Sequence, residues 1–171
     1  MGNDNIKTCC FTGHRPKSLP WKNDETDLRC ISCKSKIKFT LENLIVESGY
    51  NKFISGMAMG ADTICAEITL SLKILYPHIE LFCAVPNYAF TDGWPDKNVK
   101  KFFDILKLAD NVKYISENTI YNRRDFMKRN IYMVDSSDIV VAVYKEGESG
   151  GTKNTVNYAR SKNKKVIIIE P

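Results

Sequence analysis

A chain of 171 residues with 43% hydrophobic and 26% charged content has the make-up of one globular domain. It can bury roughly 70% of its unfolded surface without a disulfide or a metal. The net charge of +5 permits a phosphate-bearing partner without demanding nucleic acid, and no apolar run approaches the 18 residues of a membrane-spanning helix.

In chain order, "IKTCCFT" (6–12) reads as the first strand. Residues 24–48 then carry Leu28, Ile31, Leu41, Leu44 and Ile45 at helical spacing, with Asn23 or Asp24 as cap and Gly49 as stop. "NKFISG" (51–56) is the second strand, and the helix over 60–76 carries Ile64, Ile68, Leu72 and Leu75 until Pro77. "IELFCAVP" (79–86) is the third strand, followed by a helix over 96–109 with Val99, Phe102, Phe103 and Leu106. "NVKYIS" (111–116) is a weakly patterned fourth strand, and the helix over 122–135 carries Phe126, Ile131 and Val134. "DIVVAVY" (138–144) and "KVIIIE" (165–170) are nearly continuously apolar, as strands covered on both faces are, and they enclose a last helix over 151–162.

Strand alternating with helix means right-handed crossovers and a parallel sheet. The expected fold is a three-layer α/β Rossmann-like domain over residues 1–171, its mainly parallel sheet holding five to six strands. Cys9, Cys10, Cys65 and Cys83 fall in apolar segments and read as small core residues. Residues 1–8 lack the apolar stretch of a secretory signal, so a reducing, cytoplasmic setting is expected.

In such a sheet, ligands bind beyond the carboxyl ends of the strands, at the point where strand order reverses. Four strand ends stand out. "TGHRPKSLPW" (12–21) places Gly13 at a tight turn and His14 and Arg15 at the rim, where a phosphate or carboxylate would be met. "SGMAMGADTICAE" (55–67) has Gly56 and Gly60 bracketing a turn before a helix amino terminus; Asp62 there either repels a phosphate or holds a ribose hydroxyl. "VPNYAFTDGWPDKN" (85–98) is long, and Tyr88, Phe90 and Trp94 either stack on a base or pack the loop. The fourth is "KEGESGGTKNTVNYA" (145–159), between a strand and a helix, with the basic "YNRRDFMKRN" (121–130) as its partner. Asn130 falls on that helix's apolar face and needs a polar partner.

Other candidates weigh less. "CISC" (30–33) has metal or redox spacing, but one pair is not four ligands, and it falls mid-helix, whereas redox pairs open helices. His78 reads as a surface residue. The Lys-Ser/Thr pair of a P-loop is missing from "GADTICAE", and no nucleophile elbow accompanies His14.

Taken together and in this order, "CCFTGHRP", "SGMAMGAD", "NRRDFMKRN" and "SGGTKNT" resemble the YpsA/YoqJ-like branch of the SLOG superfamily over nearly the whole chain. The resemblance implies a Rossmann-like fold and a nucleotide or nucleotide-derived ligand, of AMP, ADP-ribose or NAD type. It also implies a sensor or regulatory protein of bacterial or prophage origin. The superfamily includes the DNA-processing protein DprA and cytokinin-activating phosphoribohydrolases. The latter use a GGxGTxxE loop with a catalytic Glu; aligned to it, Gly151-Thr152 match the GT and Thr155 stands where the Glu belongs. Their upstream arginine would correspond to Arg123 or Arg124.

The expected site therefore comprises Gly13, His14, Arg15, Gly56, Gly60, Asp62, Arg123, Arg124, Ser149, Gly150, Gly151 and Thr152, with Glu146 and Glu148 pointing away from the phosphate. No metal is expected, a homodimer is allowed, and nucleic acid is the less favoured partner. The alternatives are a nucleotide N-glycosidase using Asp62 or Glu67, and a DprA-like single-strand binder.

Overall fold

The computed structural model describes residues 6–171. Its strands are β1 (Thr8–Gly13), β2 (Lys52–Ser55), β3 (Glu80–Val85), β4 (Asn111–Tyr114), β5 (Ile139–Val143) and β6 (Lys165–Ile169). Between them run α1 (Leu28–Val46), α2 (Ala61–Lys73), α3 (Asp96–Leu108), α4 (Arg123–Asp135) and α5 (Gly151–Ser161). The strands form one sheet in the order β4-β3-β2-β1-β5-β6. Every neighbouring pair is parallel. This is the three-layer Rossmann-like fold expected, and the order reverses between β1 and β5, where Gly13 pairs with Val143.

The core follows from the apolar runs. Every residue of β5 is buried, as a strand with helices on both faces requires. One face of the sheet packs Phe11 and Phe53 against Cys33, Ile37, Leu41, Ile64 and Leu72 of α1 and α2. The other packs Cys10, Ile54 and Val140 against Met133 and Val134 of α4 and Ala159 of α5. No helix among the described residues is long and apolar enough to cross a membrane.

Two helices differ from expectation. α1 starts at Leu28, capped by Asp27, whose side chain accepts from the Arg29 N–H at 2.8 Å. The stretch before it is a pair of turns pinned by buried Leu19 and Trp21, so Leu28 and Ile31 are exposed. "CISC" consequently lies in the first two turns of the helix rather than in its middle. Both thiols are nonetheless buried and free, and burial pushes Cys33 up to about 11, which makes a poor thiolate.

In α4 the buried residues are Asp125, Arg129, Met133 and Val134, while Ile131 is exposed. Two of the inward positions are charged, so apolar spacing misplaced this helix's face. Asp125 accepts from the amides of Asn87 at 2.9 Å and Asn118 at 2.8 Å. Those bonds tie the start of α4 to the loops after β3 and β4, and they hold the carboxyl below its usual range.

Candidate functional site

A cavity of about 1040 Å³ opens at the carboxyl end of the sheet, over the β1–β5 junction. Its lining comes from five places: the end of β1 and the loop after it, the β2–α2 turn, the start of α3, the inner side of α4, and Ser149–Thr152 at the start of α5. A smaller cavity of about 430 Å³ adjoins it and shares Arg15, Tyr121, Phe126 and Gly151.

Gly13 is needed where β1 meets α2. A Cβ there would overlap that of Ala61 and lie 2.7 Å from the Val143 carbonyl oxygen. Gly60 lies outside the lining; with φ at +99° it caps α2 and lets the helix approach the His14 carbonyl, to which the Ala61 N–H donates at 3.1 Å. That bond joins the β1 loop to the α2 amino terminus.

His14 is buried beneath the α5 loop. Its Nε2 accepts from the Lys145 backbone N–H at 3.1 Å and lies 3.1 Å from Glu148 Oε2. The first contact needs a bare ring nitrogen and the second favours a protonated one. Burial wins and lowers the His14 pKa, with Glu148 opposing. Glu148, expected to point away from the phosphate, is turned toward His14, where its charge favours protonation of the ring. Glu146 does turn away, to Arg160 at 2.7 Å.

Asp62 lines the cavity from the first turn of α2, and its Oδ2 lies 4.0 Å from Nη1 of Arg129. The Ala58 N–H donates to it at 3.4 Å. Burial acts against both charges: it raises Asp62 and lowers Arg129 to about 10. Arg129 also donates to the Gly56 carbonyl and, through Nε, to Asn130 Oδ1 at 2.8 Å. Gly56 is outside the cavity; its place is to leave room for this guanidinium.

Arg129 is the arginine of α4 that lines the larger cavity. Arg123 reaches only the smaller cavity, and Arg124 lines neither, because both lie on the outer side of the first turn of α4. The available signal was Asn130, the polar residue on the inner face, which marks its neighbour Arg129 as part of a buried network. Arg15 and Arg129 flank the Phe90 ring at 6.0 and 5.8 Å from its centroid.

The aromatic residues of the long β3–α3 loop divide. Phe90 is buried against Phe102 and Phe126, and Tyr88 stacks on Tyr114 at 4.3 Å. These two pack the loop. Trp94 packs edge-on to Phe90 and shares with it the wall of the smaller cavity.

At the far side, Gly150 has φ at +133° and caps α5 with no side-chain acceptor on its first N–H groups. A Cβ on Gly150 or Gly151 would meet nothing within 4 Å, so the loop backbone faces open space. Thr155 is buried one turn on, and its hydroxyl donates to the Gly151 carbonyl at 2.9 Å. It carries no acid and is not among the lining residues.

These features define a Rossmann-like α/β domain with its cavity at the reversal of strand order. A model of the YpsA family, described as the YspA SLOG family, matches residues 9–170, and the chain belongs to that family. Among curated relatives, UPF0398 proteins of Bacillus thuringiensis (strain Al Hakam) and Bacillus cereus (strain AH187) are each 28% identical over 158 residues, covering 92% of this chain and 84% of theirs. Among solved structures, DNA processing protein A from Helicobacter pylori superposes with a TM-score of 0.63 at 18% identity. The match covers 96% of this chain and 66% of that one.

Proposed function

We propose that this protein binds a nucleotide-type ligand by its phosphate, held against the backbone N–H groups of Ser149–Thr152 at the amino terminus of α5. The observation that carries the reading is the uncapped, glycine-lined start of α5 opening into the cavity at the strand-order reversal. A helix amino terminus of this kind offers unpaired donors and a positive dipole end. Arg15 supplies a cation that is not committed to an acidic side chain among the described residues. Of the groups weighed for glycosidic cleavage, Thr155 is no acid, Asp62 is engaged with Arg129 and the Ala58 N–H, and Glu67 with Lys101, while Glu148 faces His14. Binding without cleavage, in a sensing or regulatory role, is the reading favoured.

Calorimetric titration with AMP, ADP-ribose and NAD tests it. Binding by the native protein and its loss in Gly151→Asp supports the cradle, whereas equal binding by both sinks it. The Helicobacter neighbour is described as binding single-stranded DNA. A short oligothymidylate belongs in the same panel, and its binding in place of every mononucleotide would shift the ligand class to a strand.

A further inference from the structure

We propose that the same cavity contains a second anion subsite, built by Lys17, Ser18 and Lys22 on the β1–α1 loop, which takes a second phosphate group of the nucleotide. It rests on the reading of the α5 amino terminus as the first subsite.

Lining, charge and loop geometry carry it. Lys17, Ser18, Lys22 and Asn23 line the cavity, as does Asn98 of α3. The stretch 15–27 holds three acids, and each is engaged elsewhere. Asp24 accepts from Thr26, Glu25 from Lys34 and Lys101, and Asp27 from Arg29. Among the described residues no carboxylate lies within 4.0 Å of Arg15, Lys17 or Lys22, and all three line the cavity. Three cations left facing one cavity are the electrostatic complement of an anion.

The loop is also fixed rather than loose. Leu19 and Trp21 are buried at 3% and 4% exposure, and successive turns join Ser18 to Arg15, Leu19 to Pro16 and Lys22 to Leu19. Lys22 itself sits at φ +53°, a left-handed conformation in which a glycine would be at ease. A lysine standing where the backbone disfavours a side chain fits a use for that side chain.

Position completes the argument. Glu25 on the same loop accepts from Lys101 of α3 at 2.6 Å, which turns this stretch toward α3, whereas Ser149–Thr152 open α5 beyond β5.

The test is calorimetry at about 0.15 M ionic strength with AMP, ADP, adenosine 3′,5′-bisphosphate and the dinucleotide pdTpdT. One of the two-phosphate mononucleotides is expected to bind the native protein about tenfold tighter than AMP. In Lys17→Ala/Lys22→Gly that advantage collapses, while AMP affinity stays close to native. Glycine suits the backbone at 22, so the variant is expected to melt no lower than Lys17→Ala alone. The proposal is overturned if the native protein shows no second-phosphate advantage, if the variant keeps it, or if AMP weakens as much as the others. A lysine-dependent gain seen only with pdTpdT also overturns it, in favour of a strand. AMP binding that Gly151→Asp abolishes, with no second-phosphate advantage, leaves the first subsite standing and removes only the second. Absence of AMP binding to the native protein removes both.

Discussion

The carbonyl of Gly56 accepts from the guanidinium of Arg129, and a Cβ at 56 would overlap that guanidinium and lie 2.8 Å from Asp62 Oδ2. A residue at the end of β2 and one in the middle of α4 are thus fitted to each other around a buried carboxylate. Gly56→Ala should expel Arg129 from its seat and destabilise the protein by about 2–3 kcal/mol, the scale of overpacking a core. Urea denaturation measures this. A loss no larger than an ordinary surface substitution would mean the guanidinium is free to move aside.

The buried pair makes a second prediction. Arg129→Met leaves Asp62, at 6% exposure, without its cation, and should cost about 3 kcal/mol. Removing both charges in Asp62→Leu/Arg129→Met should recover a good part of that loss, because an uncompensated buried charge is worse than none. Chemical denaturation of the two single variants and the double variant decides it. Additive losses would show that the two side chains do not communicate.

A third concerns pH. Burial holds the His14 pKa below its ordinary 6.5, and Glu148 pulls it up. Protonation is therefore disfavoured in the folded state relative to the unfolded one. This contribution to stability is fully present above about pH 6.5 and is lost as pH falls from there through the folded-state value. His14→Gln should flatten that part of the stability profile. In an NMR titration, Glu148→Gln should move the His14 midpoint further down, since it removes the raising influence. The chain holds two histidines, and the His14→Gln spectrum assigns the signals. A midpoint that rises in Glu148→Gln would contradict the geometry.

The strands were legible because β5 and β6 are apolar runs and strand order in parallel sheets obeys few rules. Ser149–Thr152 and the His14-Arg15 pair, residues just past strands that meet at the reversal, line one cavity. The inner face of α4 was not legible. Asp125 and Arg129 are buried only because their partners come from distant segments, Asn87 lying 38 residues away from the first and Gly56 lying 73 from the second. Periodicity sees a charge as outward-facing, so Ile131 was assigned inward in their place. The start of α1 was misplaced for a related reason: Asp24 and Asp27 both have capping chemistry, and only the burial of Leu19 and Trp21 shows that the chain turns twice before the helix begins.

Gly151→Asp carries a prediction of its own. A side chain there meets nothing within 4 Å, and an acid in the first turn of α5 is favoured by the helix dipole. The variant should melt no lower than the native protein, and about 0.5 kcal/mol of added stability is expected. Differential scanning calorimetry reads this. A marked loss of stability would show that the loop backbone is strained in a way its open surroundings do not reveal.

The central claim is that a phosphate sits on the α5 amino terminus. An amide-resolved NMR titration of the native protein with AMP addresses it most directly, since it reports on each N–H. The largest shifts are expected at Ser149, Gly150, Gly151 and Thr152, with a smaller response at His14 and Arg15, and none of these at Gly151→Asp. Shifts centred elsewhere, or a silent 149–152 loop at saturating AMP, would contradict the account.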